Sequence, residues 1–169
     1  RKKIIKNCIK KKYSFRESFL NAFQSIILEP RNLSYKVQFP GPTGTNAVEA
    51  AIKLARKIKK RHTVLSFKNG FHGMTYASVS ITANPYYHQV EGIETKNSHF
   101  LPFGDETPEG ALSQLKLQLS DYLGDKEKPA AIIVETVQGE GGVNVASDKW
   151  LKGLQDLCRT NDILLIIDD

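Results

Sequence analysis

The alternation of apolar and polar positions divides the chain into helical and extended segments. In residues 15–27 and 46–60, apolar side chains recur every three or four positions, which is typical of a helix with one buried face. The first helix is predicted to bury Phe15, Phe19, Phe23, Ile26 and Ile27. The second is predicted to bury Ala47, Ala50, Ala51, Leu54, Ala55 and Ile58. Residues 34–39, between these helices, predict a short strand.

Short apolar runs of strand length recur through the rest of the chain. Strands are predicted at residues 63–67, 76–82, 130–134 and 163–167. The last two runs are apolar enough for the buried strands of a parallel sheet. Helices are predicted at residues 109–123 and from the N-cap residue Ser147 to Arg159, and residues 84–108 are predicted to be irregular. Strands that alternate with helices at this spacing predict an α/β fold with a mostly parallel sheet.

The composition is that of an ordinary globular protein, with 40% hydrophobic and 25% charged residues. No apolar run approaches the roughly 20 residues of a membrane span, so we expect no membrane association. The sequence starts at Arg1 and stops at Asp169, directly after an apolar run, so we expect a part of a longer protein. Cys8 and Cys158 lie too far apart to indicate a disulfide framework or a zinc site, which fits a reducing cytoplasm.

The net charge of +6 is concentrated at the start of the chain, where basic residues precede the first acid, Glu17. A basic run of this kind can bind nucleic acid. Apolar residues nevertheless recur among the lysines at helical spacing, at Ile4, Ile5, Cys8 and Ile9. This pattern favours a solvated helix with an apolar seam, so we expect no nucleic-acid partner.

Two acidic residues directly follow the two most apolar runs. Glu135 follows residues 130–134, and Asp168 follows residues 163–167. Because ligands of open parallel sheets bind beyond the carboxyl ends of the strands, we expect both acids at one rim and near a ligand. The plain alternative is that acids simply end strands at the surface.

Three polar loops are candidates for the same rim. Residues 41–45, Gly-Pro-Thr-Gly-Thr, precede the long helix, where backbone N–H groups and the helix dipole can bind phosphate. A turn with a threonine N-cap is the alternative. Phe71 and His72 follow the strand at 63–67 and offer an aromatic ring, although a phenylalanine alone is more often core. Residues 138–142, Gln-Gly-Glu-Gly-Gly, form either a site loop or a tight surface turn.

Phosphate donors, a stacking aromatic ring and a carboxylate are together what pyridoxal phosphate (PLP) requires of a protein. The residues that carry these groups lie in segments that resemble the class III PLP-dependent aminotransferases of fold type I. The matching segments are residues 35–57, 67–75, 130–151 (AAIIVETVQGEGGVNVASDKWL) and 157–169 (LCRTNDILLIIDD). The last two together are specific to this family.

The resemblance implies a three-layer large domain of fold type I with a mostly parallel sheet. It implies that residues 1–33 form an N-terminal helical segment and that residues 34–169 are part of the PLP-binding large domain. It also implies at least a homodimer, with each site completed by the partner subunit.

The resemblance also implies roles for individual residues, and no metal site. The backbone amides of Gly44 and Thr45 hold the cofactor phosphate, and Phe71 stacks on the pyridine ring beside His72. Asp168 is the acid at the ring nitrogen, and Glu135 is a second acid of the active-site network. Glu140 resembles the glutamate that pairs with a later arginine and selects between substrates.

Several positions depart from the wording common in this family. This chain has Thr43, Asn46 and Asp169 where many members have Ser, Glu and Glu, and Thr136 where they have Pro. These departures favour the diaminobutyrate-forming members over those that act on ornithine, acetylornithine or GABA, which remain the alternative.

The implied reaction transfers an amino group between L-glutamate/2-oxoglutarate and L-aspartate 4-semialdehyde/L-2,4-diaminobutyrate, for ectoine or siderophore synthesis. The family's Schiff-base lysine lies beyond Asp169, so we expect the chain to be inactive alone. An inactive binding module remains a further alternative.

Overall fold

The structure is a computed structural model that describes residues 14–89, 92, 97–104, 112–117, 119–120 and 128–169. The chain forms two compact units, Arg1–Phe39 and Pro40–Asp169. Within the described ranges no helix has both the length and the apolar character needed to cross a membrane.

The first unit is helical from its first described residue. Helix α1 (Ser14–Phe23) continues into a π-helical turn (Gln24–Leu28) and a 3-10 turn (Glu29–Arg31). The predicted helix is therefore confirmed, but the prediction that its apolar face is core is wrong. Phe15 is 91% exposed, and the buried residue of this segment is Leu28. The strand predicted at residues 34–39 is also wrong, because these residues are neither helix nor strand and pair with no described strand.

Helix α2 (Gly44–Lys59) opens the second unit. The Thr43 side chain caps it by accepting a hydrogen bond from the Asn46 N–H, and the helix ends at Lys60 in a left-handed conformation. The predicted helix is confirmed, but its predicted buried stripe is only partly right. Leu54 and Ile58 are 50% and 56% exposed, and the buried face consists of Val48, Ile52 and Ala55. These three follow each other at intervals of four and three, which places them on one line along the helix.

Four parallel strands form the main sheet. They are β1 (Val64–Phe67), β2 (Ser98–Leu101), β3 (Ala131–Val134) and β6 (Leu164–Ile167), in the spatial order β2-β1-β3-β6. The strands β1, β3 and β6 confirm three of the four predicted apolar strands. Strand β2 lies in the stretch predicted to be irregular. A separate two-stranded antiparallel ribbon pairs β4 (Val137–Gln138) with β5 (Asn144–Val145).

Helices cover both faces of the main sheet, which confirms the three-layer α/β fold. Alternate residues of a strand point to opposite faces, so each strand contributes to both cores. On one face Ile52 of α2 packs with Val64 and Ile133. On the other face Leu65 and Ile132 pack with helix α4 (Asp148–Thr160). The α4 residues in that core are Trp150, Leu154, Leu157 and Cys158.

The segment predicted as a strand at residues 76–82 is instead a short helix, α3 (Tyr76–Ser80). Its alternating small, apolar and hydroxyl residues resemble a strand pattern. The helix forms because its first N–H groups find acceptors: the carboxylate of Glu49 accepts from Ala77 and Ser78 at 2.8 and 3.0 Å. Tertiary contacts therefore override the local pattern.

The remaining helix predictions are confirmed where the structure describes them. Residues 112–117 and 119–120 are helical, and the limits of the helix predicted at 109–123 lie outside the described residues. The Ser147 side chain accepts a hydrogen bond from the Trp150 N–H at 3.2 Å, as expected of the N-cap of α4.

Candidate cofactor site

The candidate site lies at the carboxyl rim of the main sheet. Glu135 directly follows β3 and Asp168 directly follows β6, and these two strands are neighbours. The Asp168 N–H donates to the Val134 carbonyl at 3.0 Å, which extends the strand pairing up to the rim. The two acids that sequence reasoning selected are therefore brought to one edge, because parallel strands all end on the same side.

His72 connects the Asp168 carboxylate to the interior of the sheet. Its Nδ1 lies 2.9 Å from Asp168 Oδ2, its Nε2 lies 3.1 Å from Ser66 Oγ, and its backbone N–H donates to Thr82 Oγ1 at 3.0 Å. The His72 residue is only 3% exposed, whereas the Asp168 side chain is 28% exposed. The imidazole is thus held at both ring nitrogens and His72 also at its backbone, whereas the carboxylate that the ring contacts remains accessible to a ligand.

Ser66 is a member of this arrangement that sequence reasoning missed. It lies in the middle of β1 and is fully buried among Val64, Leu65 and Phe67. A buried hydroxyl in an otherwise apolar strand requires a hydrogen-bond partner, and that requirement was the available signal.

Phe71 lies between the second acid and an aromatic neighbour. Its backbone N–H donates to Glu135 Oε2 at 3.0 Å, and its partly exposed ring meets the ring of Tyr87 edge to face, with centroids 5.7 Å apart. Consecutive residues of one loop therefore contact the acids that end two neighbouring strands. Sequence reasoning selected Phe71 but missed Tyr87, which lies in the stretch predicted to be irregular.

The surroundings of Glu135 at the rim raise the pKa of its carboxyl group above the usual value. Burial raises the pKa of Glu135, and the charge of Asp168 adds to the rise. The Phe71 and Gly139 N–H groups and the electrostatic interaction with His72 lower the pKa of Glu135 and so oppose this effect. Burial is the largest of these causes, because an ionised carboxylate loses more hydration than a neutral one.

Gly44 and Thr45 form the first turn of α2, where backbone N–H groups have no acceptor within the helix. The Thr45 hydroxyl lies 2.8 Å from Thr75 Oγ1 and 2.7 Å from Ser78 Oγ. Thr75 donates its hydroxyl hydrogen to Glu49, and Ser78 donates its own to the Thr75 carbonyl. The single Thr45 hydroxyl hydrogen can be donated to only one of these two oxygens, and both contacts keep the hydroxyl engaged with α3. The backbone amides are therefore the groups at this helix start that can bind an anion.

Gly73 joins the start of α2 to the sheet rim. It directly follows His72, has φ of +119°, and approaches Thr45 so closely that a Cβ atom would lie 2.4 Å from Thr45 Oγ1. Only glycine allows both this conformation and this approach. Asp168, His72, Gly73 and Thr45 are thus successive neighbours, and the start of α2 lies at the same rim as the acids.

Glu140 lies in the turn of the β4–β5 ribbon. The ribbon is held against the loop after β1 because Gln138 Nε2 donates to the Lys68 carbonyl at 2.8 Å. Glu140 and Phe71 line a common cavity of about 340 Å³. The other residues of its wall are Asn69, Gly70, Thr82, Ala83, Asn84, Pro85, Tyr87 and Gly141. The glycine-rich segment is therefore a surface turn and also the wall of a cavity beside Phe71.

The model of the family described as "Aminotransferase class-III" matches residues 12–169. The chain belongs to the class-III aminotransferase family. The match includes every candidate residue of the sheet rim and of the α2 start, so the geometry above is that of a class-III aminotransferase chain.

Two similar curated proteins carry the same name. A diaminobutyrate–2-oxoglutarate transaminase of Vibrio cholerae is 49% identical over 151 residues, which cover 89% of this class-III chain and 37% of the relative. The protein of the same name from Halomonas elongata is 50% identical over 159 residues, with 91% and 37% covered. The chain thus spans somewhat more than a third of the length of these relatives.

Solved structures of aminotransferases share the fold. An amine transaminase from an uncultivated Pseudomonas species, in its PLP-bound form, superimposes with a TM-score of 0.64 and 30% identity. The superposition covers 76% of this class-III chain and 32% of that one. The ornithine aminotransferase of Toxoplasma gondii gives a TM-score of 0.62 and 32% identity, with 75% and 29% covered.

Proposed function

We propose that the chain is the PLP-binding part of an aminotransferase that forms L-2,4-diaminobutyrate. Its membership of the class-III family supports transamination, and the name shared by relatives at about 50% identity supports this product. The proposed reaction transfers an amino group between L-glutamate/2-oxoglutarate and L-aspartate 4-semialdehyde/L-2,4-diaminobutyrate.

The residues of the rim fit PLP. The observation that carries the proposal is the continuous contact from the Asp168 carboxylate through His72 and Gly73 to the start of α2. An acceptor for a ring N–H and donors for a phosphate therefore lie at one rim. When bound, PLP supplies a protonated pyridine ring that stabilises negative charge on the substrate carbon.

Each residue of the rim has a proposed task toward that group. The Gly44 and Thr45 amides bind the phosphate, and the open space beside Gly44 leaves room for it. Phe71 packs against one face of the ring. Asp168 accepts the ring N–H in a charge-assisted hydrogen bond, and His72 orients the Asp168 carboxylate.

The two glutamates are proposed to act on the substrate side of the ring. Glu135, whose pKa burial raises, contributes an acceptor oxygen for the Phe71 N–H to the network around that ring. Glu140, on the cavity wall beside Phe71, is proposed to recognise the distal amine of the substrate and to withdraw when the α-carboxylate of glutamate binds. The same pocket could then bind the positively charged amine of one substrate and the negatively charged carboxylate of the other.

The remaining features of the active enzyme are also proposals. The Schiff-base lysine is proposed to lie beyond Asp169, which would leave this chain inactive by itself. The full-length protein is proposed to be a cytoplasmic homodimer or larger homo-oligomer that supplies diaminobutyrate for ectoine or siderophore synthesis. Residues 34–169 are proposed to belong to the PLP-binding large domain and residues 1–33 to a separate N-terminal helical segment.

The absorption spectrum of the full-length protein with PLP tests the reaction type. We expect a long-wavelength cofactor band that disappears on addition of L-glutamate and returns with 2-oxoglutarate. Asp168→Asn is expected to lower kcat by about a hundredfold or more, because it removes the charge that faces the ring nitrogen. A wild-type protein that binds no PLP, or whose band is unchanged by glutamate, would refute the proposal.

The second candidate is another ω-aminotransferase. The 32% identity to the ornithine aminotransferase of Toxoplasma gondii is the observation that favours it. Comparing kcat/KM for L-2,4-diaminobutyrate, ornithine, acetylornithine and GABA decides between the two. A preference for any of the last three substrates would end the diaminobutyrate proposal and leave transamination intact.

A further inference from the structure

The residues that directly follow the two rim acids contact each other. The Thr136 backbone N–H and the Thr136 hydroxyl both donate to Asp169 Oδ1, at 3.0 and 2.7 Å. Thr136 follows Glu135, and Asp169 follows Asp168. Two of the positions at which the sequence departs from the common family wording therefore form one contact.

This contact takes the place of a hydrogen bond of the sheet. Strands β3 and β6 pair in register up to Val134 and Ile167, and the Asp168 N–H donates to the Val134 carbonyl. In a parallel ladder the next bond runs from the Thr136 N–H to the Asp168 carbonyl. The Thr136 N–H donates to the Asp169 side chain instead. The Asp169 carboxylate therefore connects the ends of β3 and β6 at the point where regular strand pairing stops.

The contact between Thr136 and Asp169 affects the position of Asp168. The loop after β1 also contacts both rim acids, so each acid is held by its strand end and by this loop. Phe71 contacts Glu135 at 3.0 Å and His72 contacts Asp168 at 2.9 Å. The separation of the two acids therefore depends on how far apart the ends of β3 and β6 lie. A carboxylate that accepts two hydrogen bonds on one oxygen restricts that distance more than a neutral contact would.

We propose that Thr136 is a positioning residue for Asp168, acting through Asp169. This inference rests on the proposed function, since it assigns Asp168 to the ring nitrogen of the cofactor. A proline at position 136 would supply neither donor, and valine would supply the N–H alone. The threonine thus fixes the end of β6 and presents the Asp168 carboxylate at the correct place for the ring.

The test uses the full-length protein with Thr136→Val, and Thr136→Ser as the variant that keeps both donors. Two probes are titrated into the apoprotein. One is pyridoxamine phosphate, which binds without a covalent bond, and the other is its analogue with carbon in place of the ring nitrogen. We expect Thr136→Val to lower the affinity for pyridoxamine phosphate by about tenfold, which is the lower end of the effect of losing an outer hydrogen-bond partner. Thr136→Ser is expected to restore the wild-type affinity.

The carbon analogue separates positioning from general damage. It has no ring nitrogen for Asp168 to contact, so wild type and Thr136→Val are expected to bind it equally. Asp162→Asn is the matched control, because Asp162 precedes β6 at the opposite end and pairs with Lys59 and Arg61. It is expected to leave the affinity for both probes unchanged.

Several outcomes would overturn the positioning role. Equal affinity of wild type and Thr136→Val for pyridoxamine phosphate would do so, even if the variant melts at a lower temperature. An equal loss with both probes would show a merely structural effect. If Thr136→Val does not fold, Asp169→Asn is judged by the same criteria. The failure of the proposed function is distinguishable, because in that case wild type itself binds neither probe.

Discussion

At the scale of single residues, the site depends on polar groups that the fold removes from water. His72 and Ser66 are both buried, and each satisfies the other through the 3.1 Å contact between Nε2 and Oγ. A buried polar group without a hydrogen-bond partner destabilises the folded protein by about 1 to 3 kcal/mol. The hydrogen bond between His72 and Ser66 removes this cost for both side chains. The rigid placement of the imidazole follows from this pairing.

Glu135 should make stability depend on pH. Burial raises the pKa of Glu135 above its ordinary value of 4.5, so its ionisation in the folded protein costs stability. That cost is absent below the ordinary value and is complete above the raised one. Glu135→Gln keeps an oxygen for the Phe71 N–H but cannot ionise. We expect the variant to gain stability relative to wild type as pH rises above 4.5, until Glu135 of the wild type is fully ionised.

Urea unfolding of the full-length protein at a series of pH values measures this difference. Glu140→Gln, the same exchange at an exposed position, is measured alongside as the control. A constant difference between wild type and Glu135→Gln across the range would contradict the prediction.

Cys158 should be chemically inert in the folded protein. Burial raises the pKa of the Cys158 thiol to about 12, so almost none is present as the reactive thiolate near neutral pH. In a Cys8→Ser background, iodoacetamide is expected to label Cys158 only after denaturation. Mass spectrometry of the native and unfolded protein checks this, and rapid labelling of the native form would show that α4 opens readily.

At the scale of elements, α3 shows how a contact between two helices decides a conformation. Its sequence alternates in a way that also suits a strand, and the Glu49 carboxylate of α2 supplies the acceptor that the first turn of α3 requires. The same carboxylate accepts from the Thr75 hydroxyl, which in turn contacts Thr45. The start of α2 and the start of α3 are therefore one hydrogen-bonded assembly.

Removing the Glu49 carboxylate should loosen α3 in particular. Loss of a cap costs about 1 to 2 kcal/mol, so Glu49→Ala is expected to speed hydrogen exchange of the α3 amides by roughly tenfold. Glu49→Gln, which keeps an acceptor oxygen, should have a smaller effect. Lys53→Ala, an exposed position on the same helix, controls for changes in α2 itself. Unchanged exchange at Ala77 and Ser78 in Glu49→Ala would refute the assignment.

At the scale of the whole second unit, the polar groups at the two ends of the sheet have different roles. At the amino end, Asp162 pairs with Lys59 and Arg61, and Arg61 also donates to the Pro129 carbonyl at 3.3 Å. At the carboxyl end, the polar groups are instead turned toward a place where a ligand can bind. The layers between the two ends are apolar and carry the stability of the unit.

The α4 core should dominate that stability. Leu154 is fully buried between α4 and the sheet, so Leu154→Ala is expected to lower the free energy of unfolding by about 2 to 5 kcal/mol. Lys152→Ala, exposed on the same helix, should change it by less than about 0.5 kcal/mol. Urea unfolding of both variants in the full-length protein measures the contrast, and equal effects would show that α4 contributes little to the core.

Much of this arrangement could be predicted from sequence because its signals are local. The apolar runs at β1, β3 and β6 are too short for helices and too apolar for loops, so their type was clear. Ser147 indicated the start of α4 by its residue type. The acids Glu135 and Asp168 could be assigned to one rim because parallel strands end together. Residues 34–39 were wrongly predicted as a strand, since alternation alone cannot tell whether a partner strand exists.

The sequence by itself determined the layered α/β fold, the family and the positions of the rim acids, because helix and strand periods and short motifs are properties of neighbouring residues. Only the tertiary structure decided that residues 76–80 are a helix, that Ser66 is hydrogen-bonded to His72, and that Thr136 donates hydrogen bonds to Asp169. Thr136 and Asp169 are 33 positions apart, and Glu49 and Ala77 are 28 apart. Hydrogen bonds of that kind exist only once the chain has folded, so no local pattern can specify them.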